Sequence, residues 1–227
     1  MRSTALRFVL SFLVAGAVLT LANAGPPGLT TFAENFEDGN NTGGWTFGNA
    51  AFEVIEPDGG NPGGFLRNFF LDTFAAQPRT TLGVASPFTG DYRARGVRFV
   101  GIDLALFSVD FSAEGRPLSV ILYSDGDTPD DSADDCRVFR IGGHPTPMPN
   151  GNWAKYRFRV PSDGDTLPPG WSVQGCVGRT DDEAWNQVIT DVDQLRFFTG
   201  DPDRFYIFQA FDIGMDNPTI VSGTPDP

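Results

Sequence analysis

Ile102-Asp103-Leu104-Ala105-Leu106-Phe107-Ser108 reads as a strand that is apolar on much of both faces. Successive side chains of a strand point to opposite sides. Ile102, Leu104, Leu106 and Ser108 therefore make one face, and Asp103, Ala105 and Phe107 make the other. A run with so little polar surface suits a central strand in a two-sheet sandwich. Further on, Lys155-Tyr156-Arg157-Phe158-Arg159-Val160 alternates more cleanly, with the basic residues facing one way and Tyr156, Phe158 and Val160 the other.

Working outward, strand-like runs recur along the chain. Thr31–Glu37, Trp45–Ile55, Phe65–Phe70, Thr80–Val84, Gly96–Phe99 and Ile102–Phe111 come first. Leu118–Tyr123, Cys136–Ile141, Trp153–Val160, Leu195–Phe198, Phe205–Phe208 and Phe211–Ile220 follow. Turn chemistry separates them, as at Asp38-Gly39, Asp58-Gly59-Gly60, Asp125-Gly126, Asn150-Gly151 and Asp163-Gly164. One segment has a different period. Between Asp181 and Val192 the apolar residues Ala184, Trp185, Val188, Ile189 and Val192 follow helical spacing, and Asp181-Asp182-Glu183 place negative charge in the first turn. The expected fold is all-β, a two-sheet antiparallel sandwich with one short helix near 181–192.

The first 24 residues bear on location. Arg2 and Arg7 precede an apolar run from Phe8 to Leu21, and Ala22-Asn23-Ala24 offers small residues at a cleavage site. Residues 1–24 thus read as a secretory signal peptide, 25–30 as a flexible lead-in, 31–220 as the sandwich and 221–227 as a flexible tail. The expected location is extracellular or periplasmic, with no second apolar run to hold the mature chain in a bilayer. Cleavage removes two of the 16 basic residues and none of the 29 acidic ones, so 14 face 29 and the mature net charge is −15. Such a balance argues against nucleic acid or an anionic membrane surface as partner. Cys136 and Cys176 are the only cysteines. An oxidising compartment would let them pair into a staple worth roughly 3–4 kcal/mol for a loop of about 40 residues, and two unpaired thiols are the alternative.

Three segments carry a resemblance. Asn35-Phe36-Glu37-Asp38-Gly39 with Gly44-Trp45 looks like the opening of galactose-binding-like and carbohydrate-binding jelly-roll modules. Trp185-x-x-Val188-Ile189-x-x-Val192-x-x-Leu195-x-Phe197 resembles the late helix-then-strand segment of the laminin B domain, also called laminin domain IV. Gly214-Met215-Asp216-Asn217-Pro218-Thr219-Ile220 resembles its last strand, with Pro218 in place of the usual aliphatic residue, which puts an edge or bulge there. The resemblance implies a jelly-roll sandwich that binds carbohydrate or another extracellular polymer. A matrix-like domain with another extracellular protein as partner is the alternative, and a glycoside-active enzyme of related fold is the third.

The resemblance also implies a structural Ca²⁺ held by Glu37 and Asp216, with Asp38 as helper and backbone carbonyls completing the shell. The plainer possibility is a solvated Glu37 and an Asp216 that bonds turn amides. A second metal candidate is the acidic loop containing Asp125, Asp127, Asp130 and Asp131, whose spacing departs from the EF-hand pattern and which also reads as an ordinary solvated connector. Among the tryptophans, Trp45, Trp153 and Trp185 read as core. Trp171, after Leu167-Pro168-Pro169-Gly170, is the expected exposed ring for stacking on a sugar. No catalytic residues are assigned: the single histidine, His144, lacks a companion motif, and neither HExxH nor GxSxG occurs.

Overall fold

The double-faced apolar run lies in an interior strand, β6 (Val97–Val109), which absorbs most of the 96–99 and 102–111 runs into one element of 13 residues. The chain's structure is a computed structural model describing residues 28–223 apart from 112–114, 127, 129–131 and 133. The expected signal peptide, the lead-in up to residue 27 and the tail from residue 224 lie outside the described residues. The other strands are β1 (Thr30–Ala33), β2 (Trp45–Thr46), β3 (Glu53–Gly60), β4 (Gly63–Thr73), β5 (Arg79–Thr80), β7 (Pro117–Ser124), β8 (Cys136–Pro145), β9 (Trp153–Arg159), β10 (Trp171–Gln174), β11 (Gln194–Phe198) and β12 (Gln209–Ser222).

They form two antiparallel sheets in a jelly-roll sandwich. The first runs β3-β4-β12-β6-β9, with β1 also paired to β12, and the second runs β10-β8-β7-β11-β5-β2. Ile102, Leu104 and Leu106 of β6 lie in the core with Leu118, Val120 and Leu122 of β7. Aromatic rings fill the space between the sheets. Trp45 meets Phe88 edge-on at 5.0 Å and stacks near Phe197 at 6.1 Å.

Helix α1 (Asp181–Thr190) packs against β7, β8 and β10 through Ala184, Trp185, Val188 and Ile189. Thr180 caps it: the Thr180 hydroxyl accepts from the Glu183 amide at 3.3 Å, and the Glu183 carboxylate accepts from the Thr180 amide at 2.8 Å. The helix stops two residues short of the expected end. Val192 instead bridges to Gly90 and is buried as extended chain.

Several expected strands differ for local reasons. The 31–37 run ends at Ala33, because Phe36 adopts φ 55° and cannot continue an extended segment. The 45–55 run is broken by Gly48 at φ 90° and a 3₁₀ turn over Ala50–Phe52, so β2 joins one sheet and β3 the other. Residues 205–208 form no strand. Phe205 stands 85% exposed there, with its ring 5.8 Å from that of Phe74. The bulge expected at Pro218 is present: the β6–β12 register shifts between Asp216 and Thr219, and Asn217 takes φ 47°.

Cys136, at the start of β8, is bonded to Cys176, just past β10. The cross-link spans a sequence separation of 40 and fastens the edge strand β10 to its neighbour. Replacing both cysteines by alanine is expected to cost about 3–4 kcal/mol. In a domain of this size that lowers the melting midpoint on the order of 10 °C, measurable by circular dichroism. An unchanged midpoint would show that the cross-link adds nothing to stability.

Candidate functional site

The β6–β12 register makes Asp103 and Asp216 direct cross-strand partners on the outer face of the first sheet. Both side chains are buried. Asn61, at the tip of the β3–β4 hairpin, joins them. Its backbone amide donates to Asp216 Oδ2 at 2.6 Å, and its side-chain amide donates to Asp103 Oδ2 at 3.0 Å. Asn217 completes the cluster, donating its backbone N–H to Asp216 Oδ1 at 2.7 Å and its side-chain amide to Asp103 Oδ2 at 3.1 Å. Lys155 Nζ approaches Asp103 at 3.7 Å while remaining 73% exposed.

Burial raises both carboxyl groups above their ordinary range. Asp216 is pushed up to about 6, first by desolvation, with the charges of Asp103 and Glu37 adding to it and the Asn61 and Asn217 amides opposing it. Asp103 shifts the same way through burial, against the pull of Lys155 and the two asparagine side chains.

The hairpin must lie close to these acids, which explains its glycines. A Cβ on Gly60 would stand 2.9 Å from Asp216 Oδ2, 2.7 Å from the Gly63 carbonyl oxygen and 2.5 Å from that of Gly64. One on Gly63 would collide with the Glu37 carboxylate, and one on Gly64 would press on the Phe36 carbonyl at 2.9 Å. Glu37 Oε1 also accepts from the Gly64 amide at 3.2 Å. Glu37 and Asp216 therefore flank one hairpin, together with the carbonyls of Phe36, Gly63 and Gly64. This all-oxygen donor set is the chemistry a hard divalent cation takes. Among the described residues no three His, Cys, Asp or Glu side chains converge as a metal cluster, so backbone carbonyls would have to complete any shell. Asp38 is exposed and turned to its own loop, where Oδ1 accepts from the amides of Asn40 and Asn41 at 3.2 and 3.0 Å.

The remaining candidates fall elsewhere. Asp125 receives its place from another acid: its backbone N–H donates to Asp193 Oδ2 at 2.8 Å, and Asp193 is raised to about 6 by burial and by the charges of Asp191 and Asp125. Asp127, Asp130 and Asp131 lie outside the described residues. The expected exposed ring at Trp171 is corrected. It is 5% exposed and packs edge-on against Trp185 at 5.2 Å, because β10 turns it inward under the helix.

Trp153 is corrected in the opposite sense, from core to the outer face, where it is half-buried. The signal was in the sequence: the alternation that points Lys155, Arg157 and Arg159 outward also points Trp153 outward. Its indole N–H donates to the Gly59 carbonyl at 2.8 Å, and its ring meets Phe65 edge-on at 5.3 Å. Beside it, between β1 and β9, a groove of about 510 Å³ runs over β6 and β12. Phe99, Gly101, Thr219 and Val221 contribute to its floor, with Leu29 and Thr31 on one side and Lys155 and Arg157 on the other. The Arg157 guanidinium lies over the Phe99 ring at 3.9 Å.

No family model matches the chain, and no curated protein matches it either. Among solved structures it is similar to an exo-β-agarase, at 12% identity and a TM-score of 0.42, over 88% of this chain and 25% of that one. It is also similar to a carbohydrate-binding module of family CBM28 specific for non-crystalline cellulose, at 14% identity and a TM-score of 0.28, over 83% of this chain and 89% of the module. The chain thus spans a quarter of the agarase's length. At these similarities, what this chain does has to be argued from its own surfaces.

The acid pair sets a pH dependence for the cation-free protein. Asp216 titrates near 6 when folded and near its ordinary value of 3.8 when unfolded, so between those values the folded state holds more protons. Stability therefore falls as pH rises through this window, by on the order of 2–3 kcal/mol for this group. Asp193 acts in the same direction. Asp163 and Glu183, held low by Arg98 and by the Thr180 amide, act in the opposite direction, Asp163 below the window and Glu183 below about 4.5, at its lower end. Thermal melts in chelator are expected to give a higher midpoint at pH 5 than at pH 7, with a shallower slope in Asp216→Asn. A midpoint climbing steadily from pH 4 to 7 would contradict the burial argument.

Proposed function

We propose that the chain is a non-catalytic carbohydrate-binding module working outside the cytoplasm, with a glycan chain lying in the groove on the outer face of the first sheet. The observation that carries this reading is the groove itself. It combines an apolar floor and aromatic rings with a few hydrogen-bonding side chains, which is what a sugar's apolar face and its hydroxyls require. Trp153, further along the same face, would supply the stacking platform, and Phe99 would carry the Arg157 guanidinium. Thr31, Thr219, Lys155 and Arg157 would supply the polar contacts. The Cys136–Cys176 cross-link supports an oxidising location. Among the described residues no helix is long and apolar enough to cross a membrane.

Within this reading Glu37, Asp216 and the carbonyls of Phe36, Gly63 and Gly64 would hold a structural Ca²⁺. The ion would neutralise buried acid and fasten the segment after β1 to the last strand. Asp38 has no part in this arrangement. A matrix-like protein–protein role draws support from a different feature, the exposed rings of Phe74, Phe205 and Phe208 at one end of the sandwich.

Binding to a polysaccharide panel by affinity electrophoresis tests the main reading. Trp153→Ala and Phe99→Ala are each expected to weaken retention several-fold to about tenfold, since an aromatic contact is worth about 0.5–1.5 kcal/mol. Trp153→Ala also loses the indole bond to Gly59, so its melting midpoint is measured alongside and is expected to fall by a few degrees. Absence of retention on every glycan would reject the carbohydrate reading. For the ion, Ca²⁺ at one hundred times its dissociation constant stabilises by about 2.7 kcal/mol, a rise on the order of 5–10 °C over chelator. The rise is expected to vanish in Glu37→Gln, an exposed position whose change spares the core. Equal midpoints with and without Ca²⁺ in the unaltered protein would remove the ion.

A further inference from the structure

We propose that the groove selects an anionic polysaccharide, one bearing carboxylate or sulfate groups. The proposal rests on the carbohydrate-binding reading above and names the class of glycan. Strand β9 presents Lys155, Arg157 and Arg159 on its outer side at alternate positions, all exposed. Alternate residues of a strand are about 6.6–6.8 Å apart, so the three charges form a row along β9, of which Lys155 and Arg157 line the groove. The chain carries 29 acidic residues against 16 basic ones, and Lys155 is its only lysine. A row of cations on such a chain would be expected to attract internal partners.

Two of its members have one: Lys155 lies 3.7 Å from Asp103, and the charge of Arg159 helps hold the Asp163 carboxyl low. Arg157 is the exception, since among the described residues it has no ion pair, whereas Arg67, Arg93, Arg98 and Arg204 each pair with a carboxylate. The one acid lining the groove is Asp103, which is 2% exposed and already hydrogen-bonded by Asn61 and Asn217. The facing wall offers Leu29 and Thr31 and the floor Thr219 and Val221, none of them charged. Arg157 is also held in place, since stacking on Phe99 at 3.9 Å fixes the plane of its guanidinium. A planar guanidinium presents paired N–H donors that match a carboxylate or sulfate, and such charge-assisted bonds are about twice as strong as neutral ones.

The overall negative charge does not oppose this at working ionic strength. Charges beyond about 8 Å are largely screened at physiological salt, so the local row governs the encounter. Cations on an edge strand also discourage pairing with another chain. That role asks nothing of the Phe99 stack and predicts no glycan dependence.

The test uses matched glycans that differ only in charge: polygalacturonate against its methyl ester, and a sulfated galactan against its unsulfated counterpart. Binding of the protein, Arg157→Ala and Lys155→Ala is measured by titration calorimetry at 0.05 and 0.3 M NaCl. The expected result is preference for one or both anionic members, a loss of about tenfold or more in Arg157→Ala, and weakening with salt. The carboxylate and sulfate arms separate the two sources of charge. Preference for the neutral members, or anion binding untouched by both substitutions, overturns the proposal while leaving the carbohydrate reading intact. Binding to neither member of either pair, nor to any glycan of the wider panel, overturns both. A melting midpoint for Arg157→Ala within a few degrees of the unaltered protein shows that its loss is not a loss of fold.

Discussion

The register between β6 and β12 is the constraint on which the rest of the first sheet depends. With Met215 opposite Leu104 and Ile213 opposite Leu106, the inner face closes the core. The same register sets Asp216 opposite Asp103 on the outer face. A slip by one residue would exchange the faces, driving the carboxylates into the core and the aliphatic side chains into water. Two acids side by side and out of solvent are unfavourable alone, and the Asn61 and Asn217 amides offset part of that cost. The β3–β4 hairpin reaches them only because Gly60, Gly63 and Gly64 have no side chain to obstruct it.

The same outer face shows how scaffold and surface divide the work. Asp103 anchors the hairpin while positioning Lys155 at the groove edge. Trp153 ties its indole N–H to the hairpin and leaves part of its ring outside. Arg157 borrows the Phe99 ring for its own orientation. A face built on strands is stiffer than one on loops, and under the proposed function that stiffness would lower the entropic cost of holding an extended polymer.

Much of the architecture was legible from period and turn chemistry. The double-faced apolar run at 102–108 marks a central strand, the alternation at 155–160 marks the edge strand beside it, and the helical spacing over 184–189 marks α1. Glu37 and Asp216, named through resemblance, do flank one hairpin. What escaped the sequence depends on contacts distant along the chain. Trp171 looked exposed because a Pro-Gly loop precedes it, yet pairing of β10 with β8 turns it under α1. The Phe205–Phe208 run has strand composition but pairs with no strand among the described residues. The groove could not be read at all, since β1, β6, β9 and β12 meet there from both ends of the chain.

The placement of β12 also governs the order in which this fold can assemble. The last strand in sequence is the one between β4 and β6 and the one that receives β1. A polypeptide made from its N-terminus therefore holds β1, β4 and β6 without their shared neighbour until residues 209–222 have been added. Hairpin-like pairs such as β3–β4 can form early, but the first sheet cannot close before residues 209–222 arrive. Contacts of such long sequence separation fold slowly. The first sheet consequently stays open until β12 has emerged, and closes only then.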